Sequence, residues 1–77
     1  MSLFVLEYRY ADLAARARVR PDHLAYMQSL YQDGTVLFAG PVGDGSGAMV
    51  LLQVGSEDEA EEVVMEDPYT AAGVDLP

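Results

Sequence analysis

Chemistry in this chain has few places to sit, because its 77 residues contain one histidine, His23, and no cysteine. Thiolate nucleophiles, disulfides and the common zinc sites are excluded together, and a multi-histidine metal site within one chain is impossible. The expectation is therefore no metal. His23 follows Pro21 by two residues, and proline suits the first position of a helix, where its missing N–H costs nothing. On a helix begun there, His23 falls at the same angular position as Met27 and Leu30, so it points along the inward apolar stripe. It would also lie in the first turn, where the positive end of the helix dipole disfavours imidazolium. A neutral imidazole at an apolar boundary is a competent general base near neutral pH. The competing reading is a half-buried histidine bonded to a backbone carbonyl.

Asp67 is the second candidate. Aspartate before Pro68 is ordinary capping chemistry. If the two helices lie side by side on one sheet, however, its carboxylate can approach an imidazole on the other helix. A carboxylate behind a histidine fixes its tautomer and stabilises the imidazolium formed after proton abstraction. Tyr69, two residues on, is the tyrosine placed nearest a pocket; Tyr8, Tyr10, Tyr26 and Tyr31 read mostly as core or interface. Arg16, Arg18 and Arg20 are the cations near His23, and Arg20 either binds an anionic substrate group or offsets the acidic surface. Gly40 and Pro41 end a central strand, where glycine permits close backbone approach and forms one wall of a pocket. The loop Gly43-Asp44-Gly45-Ser46-Gly47 joins strand to strand and opens no helix, so it reads as a hairpin turn and not as a phosphate cradle.

These residues need elements to hold them. Residues 2–10, rich in aromatic and β-branched types, read as a strand. Ala11 to Val19 could form a helical turn, but three of the four arginines fall between 16 and 20, so residues 11–20 read as a solvated connection. A helix from Pro21 to about Asp33 carries Leu24, Met27, Leu30 and Tyr31 as its apolar stripe, and Gly34 caps it. Strands follow at about 35–41 and 48–54. Ser56-Glu57-Asp58-Glu59 forms a capping box, opening a helix to about Glu66 with Ala60, Val63 and Val64 inward. Asp67-Pro68 starts a short helical segment to Ala72. This order predicts an α+β fold, a ferredoxin-like βαββα(β) plait with an antiparallel sheet. The chain stops at Val74-Asp75-Leu76-Pro77, where the last strand should begin, so that strand is expected to be short or missing.

Composition narrows the function further. Thirteen acids stand against four arginines, a net charge of −9, which repels phosphate backbones and anionic membrane surfaces alike. Nucleic acid and membrane are thus not expected partners. No apolar run approaches the roughly 20 residues of a transmembrane helix, and the first residues lack a secretory pattern, which makes the cytoplasm the expected location. A domain this small buries only about 60% of its unfolded surface and usually needs further support. Its strands look apolar on both sides: Phe4, Leu6, Tyr8 and Tyr10 against Leu3 and Val5; Ala48, Val50, Leu52 and Val54 against Met49 and Leu51; Val36 and Phe38 against Leu37 and Ala39. Two helices cover one sheet face, so a second copy is expected on the other, forming a homodimer.

Taken together, Arg20-Pro21-Asp22-His23-Leu24-Ala25-Tyr26, Asp33-Gly34 leading into Phe38-Ala39-Gly40-Pro41, and Asp67-Pro68-Tyr69 followed by Ala72-Gly73 resemble the YciI-like (YCII-related) family, from about residue 3 to residue 74. The resemblance implies a dimeric α+β barrel of two ferredoxin-like subunits, with residues 1–77 one such domain. It implies an active site containing His23 of the Arg-Pro-x-His-Leu segment and Asp67 of Asp-Pro-Tyr. One branch of the family removes hydrogen chloride from a chlorinated hydroxyquinol, and related barrels include lactone isomerases and small monooxygenases. Family members normally continue through a fourth strand, so the domain is expected to be truncated at its carboxy terminus. Two functions follow. One is cofactor-independent proton transfer on a small cyclic compound, such as dehydrochlorination, elimination or isomerisation, with His23 as base, Asp67 orienting it, and Arg20, Gly40, Pro41 and Tyr69 around the substrate. The other is a dimeric small-ligand-binding or accessory domain without turnover; a pure dimerisation module is its limiting case.

Overall fold

A computed structural model describes residues 1–76. The order is β1 (Ser2–Tyr10), α1 (Leu13–Gln32), β2 (Val36–Val42), β3 (Gly47–Val54), α2 (Glu57–Glu66), α3 (Pro68–Ala71) and β4 (Asp75–Leu76). The strands form one antiparallel sheet in the order β2-β3-β1-β4, the arrangement of a ferredoxin-like plait. β4 contributes two residues paired with Arg9 and Tyr10 of β1. Pro77 lies outside the described residues.

The largest departure from the sequence reading is α1. It begins at Leu13, not at Pro21, and holds Pro21 in its interior. The Asp12 side chain caps it by accepting from the Ala15 N–H at 3.0 Å. The stretch from Leu13 to Arg18 is built of leucine, alanine and arginine, all strong helix formers, and Ala15 is buried against Tyr69 and Val74. Pro21 removes the bond normally given to the Ala17 carbonyl, but both residues are exposed, so that carbonyl can turn to solvent. His23 consequently sits midway along the helix, and the dipole argument for its first-turn position does not apply.

A second departure lies in β2. Val36 pairs with Leu52 while Phe38 pairs with Leu51, leaving a bulge at Leu37. One extra residue reverses the side on which every later side chain falls. Val36 is therefore buried, Phe38 is 61% exposed on the opposite face, and Ala39, partnered with Val50, returns to the helix side. β2 is also an edge strand, with β3 between it and β1, so Gly40 lies within an edge strand and does not end a central one.

The core lies between sheet and helices: Tyr8, Val36, Val50, Leu52 and Val54 from the strands meet Met27 of α1 and Ala60 and Val63 of α2. Tyr26 and Leu30 pack beside it, whereas Tyr31 is exposed and not part of the stripe. Ser56 caps α2 by accepting from the Glu59 N–H at 3.3 Å. The Glu59 carboxylate reaches back one residue further than a standard capping box, to the Gly55 N–H at 2.9 Å.

α1 and α2 are tied by the Tyr26 hydroxyl, which donates to the Val63 carbonyl at 2.7 Å. Burial, reinforced by the charges of Glu66 and Asp67, pushes the Tyr26 phenol from 10.0 up to about 12. Folding thus favours the neutral phenol. Its contribution to stability is whole below pH 10 and is lost as pH rises through about 12. Tyr26→Phe should lower stability by about 1 kcal/mol at neutral pH and make the fall between pH 10 and 12 shallower; chemical denaturation across that range checks both.

Candidate active site

Asp67 is fully buried, an expensive position for a carboxylate unless donors surround it. Three do. The Tyr69 N–H donates to Oδ1 at 2.9 Å, capping α3. The Tyr8 hydroxyl donates to Oδ2 at 3.0 Å. His23 Nδ1 lies 2.8 Å from Oδ1. An ionised carboxylate only accepts, so this contact puts the imidazole proton on Nδ1 and leaves Nε2 as the basic nitrogen.

The imidazole is further held by stacking. Its ring lies 3.7 Å from that of Tyr69 and within 5° of parallel. Tyr8 meets it edge-on, with centroids 6.4 Å apart, and Tyr10 meets Tyr69 edge-on at 5.9 Å. The Arg16 guanidinium carbon stands 4.5 Å from the centre of the Tyr10 ring, within cation–π range. Burial raises the Tyr69 phenol above its ordinary range, opposed by the nearby Arg16 charge.

This cluster forms one wall of a cavity of about 270 Å³. Arg20, His23, Gly40, Pro41 and Tyr69 all line it, as do Arg16 and Tyr10. Asp67 does not line it and touches the imidazole from behind. Arg18 does not line it either. A larger groove, about 410 Å³, runs between β1 and α2, but its titratable groups are Glu7, Glu57, Glu61 and the edge of Tyr8, with no acid–base pair among them. Among the described residues no group of three or more His, Asp or Glu side chains could hold a metal ion.

Sequence reasoning gave Tyr8 and Tyr10 to core or interface and Arg16 only a place near His23, so none of the three was assigned to the site. The signals were present. Alternation along β1 puts both tyrosines on the helix side, and Arg16, Arg20, His23 and Met27 recur at i, i+4, i+7 and i+11 on one face of a continuous helix. Starting the helix at Pro21 concealed that face.

The family model of the YCII-related domain matches residues 1–76, and the chain belongs to that family. It is 36% identical over 73 residues to Protein YciI of Escherichia coli O6:H1, covering 82% of this chain and 74% of the relative. It is 32% identical over 73 residues to the derivative of benzaldehyde biosynthesis cluster protein C of Emericella nidulans, covering 80% and 74%. Its fold is similar to that of 5-chloro-2-hydroxyhydroquinone dehydrochlorinase (TftG) of Burkholderia phenoliruptrix AC1100, solved with 2,5-dihydroxybenzoquinone, at a TM-score of 0.80 and 28% identity over 99% of this chain and 87% of that one. A small-molecule enzyme thus occurs among the proteins it resembles. No helix among the described residues is long and apolar enough to cross a membrane.

Proposed function

We propose that this protein is a cofactor-independent enzyme that moves a proton on a small cyclic compound, and that it works as a homodimer. The observation that carries the chemistry is the buried Asp67 carboxylate 2.8 Å from His23 Nδ1. His23 Nε2 takes a proton from the bound compound. The electron pair of the broken bond then either expels a leaving group such as chloride or moves to a neighbouring atom that is reprotonated, giving elimination or isomerisation. Asp67 orients the ring and neutralises the imidazolium. Arg20 at the rim and the β2 backbone at Gly40 and Pro41 border the reacting compound, with Tyr69 behind the imidazole. The fold's likeness to a dehydrochlorinase supports this reading.

The dimer is supported by the sheet face away from the helices, where Leu3 and Val5 are 61% and 60% exposed alongside Phe38 and Met49. So apolar a surface on so small a domain suits a second copy laid sheet to sheet. One experiment tests both parts. The native chain and His23→Ala are sedimented and then assayed on chlorinated hydroxyquinols and lactones. Both should run as dimers, with turnover in the variant reduced about 10²–10⁴-fold. Equal turnover in the two would remove His23 from the chemistry. Saturable binding with no product in either would leave a ligand-binding domain.

A further inference from the structure

Arginine is scarce in this chain and carboxylates are plentiful, four against thirteen acids, so each arginine has many possible partners. Arg16 and Arg20 nevertheless line the same cavity, and neither forms an ion pair with a carboxylate among the described residues. Arg16 is the more committed of the two. Its guanidinium lies over the Tyr10 ring, and its Nε is buried with no hydrogen-bond partner among the described residues. A buried donor without an acceptor is costly. It becomes useful once something brings an acceptor to it.

We propose that Arg16 is the anion anchor of this cavity, and that the compound it receives is a small flat aromatic bearing an ionised oxygen group, a carboxylate or a phenolate. The planar guanidinium offers its donors in a fixed fork suited to two-oxygen or delocalised anions, and stacking on Tyr10 pre-sets its orientation. The walls of the cavity favour a flat ring. A volume of about 270 Å³ has room for a small aromatic compound, and the walls include the rings of Tyr10, His23 and Tyr69 together with the apolar Met27 and Val50. An anion at Arg16 brings its ring beside the imidazole. This deepens the site reading above by naming what enters the cavity, but it does not require that any chemistry follow.

The test is binding, read without turnover. Benzoate, 4-nitrophenolate and neutral benzamide are titrated into the full chain while the His23 and Tyr10 ring resonances are followed by NMR. The same titrations are run on Arg16→Gln, Arg16→Lys and Arg18→Gln. At least one anion should bind saturably to the native chain, and the stronger of the two identifies the oxygen group. Arg16→Gln should weaken that anion about tenfold or more and leave benzamide unchanged, while Arg18→Gln should match the native chain. If Arg16→Gln does not fold, Arg16→Lys decides: charge without the planar fork should weaken the anion several-fold and spare benzamide. No saturable anion binding, equal losses for anion and amide, or an equal loss in Arg18→Gln would each overturn the assignment. Anion binding at Arg16 with no turnover of any substrate would leave the anchor standing and remove the proton-transfer reading instead.

Discussion

Asp67→Ala should lose most of the stability of this domain, while Asp67→Asn should fold and lose turnover. Alanine removes the acceptor for three donors at once: the Tyr8 hydroxyl, the Tyr69 N–H and His23 Nδ1. Tyr8 and Tyr69 are both buried, so neither donor has ready recourse to water. A lost helix cap costs about 1 kcal/mol, and each buried donor left unpaired costs roughly 1–3 kcal/mol more. With the Tyr69 N–H counted as the cap and two further donors unpaired, the sum is about 3–7 kcal/mol, which reaches the whole stability expected of so small a domain. Thermal or denaturant unfolding of the variant measures it directly.

Asparagine behaves differently because one of the three donors cannot adapt. The Tyr69 N–H can only donate, so the amide oxygen must take the Oδ1 place, and the amide nitrogen then faces the Tyr8 hydroxyl. A hydroxyl can accept as well as donate, so Tyr8 reverses its role. His23 Nδ1–H keeps an oxygen to donate to, and the tautomer is retained. What disappears is the negative charge that the proposed proton transfer places against the imidazolium. The expected result is a near-native fold, an imidazole still protonated at Nδ1 by ¹⁵N NMR, and turnover reduced about a hundredfold or more. Native turnover in Asp67→Asn would show that the carboxylate serves the fold alone.

Gly47→Ala is the second large effect, and it arises from backbone geometry and not from charge. Gly47 opens β3 and pairs with Arg9 on one side and Val42 on the other. A Cβ at this position would collide with the Tyr8 carbonyl oxygen. Neither the β1 backbone nor the β3 backbone can yield without breaking their ladder. A loss of about 3 kcal/mol is expected, equivalent to roughly 15 °C in melting temperature for a domain of this size. Gly45→Ala is the informative contrast. A Cβ there meets nothing within 4 Å, and only the positive φ of 87° resists it, so about 1 kcal/mol is expected. Calorimetry of the pair separates close backbone approach from turn strain; equal losses would refute the collision. The Gly47 variant also reaches the site, because a displaced Tyr8 backbone carries its hydroxyl away from Asp67.

Much of this molecule is dictated locally. The aromatic and β-branched run of β1, the glycine-rich turn before β3, the Ser56 cap of α2 and the Asp67-Pro68 start of α3 follow from side-chain shape and short-range hydrogen bonding, so they are legible in order along the chain. That Asp67 and His23 are candidates for one site also follows, since a plait lays both helices on the same sheet face. Other features depend on contacts between distant segments. Pro21 reads as a helix start by its own chemistry, yet Ala15 packing on Tyr69 and Val74, with the Asp12 cap, draws the helix through it and delivers Arg16 to the cavity. The bulge at Leu37 is set by pairing with β3, which sends Phe38 outward and Ala39 inward against the simple alternation. Above all, residue type marks Asp67 as a cap but cannot reveal its burial. Only the convergence of Tyr8 from β1, His23 from α1 and the Tyr69 backbone from α3 supplies the three donors that let a carboxylate stay there, because donors separated by 59 and 44 positions in the chain meet only when the sheet and helices close around it.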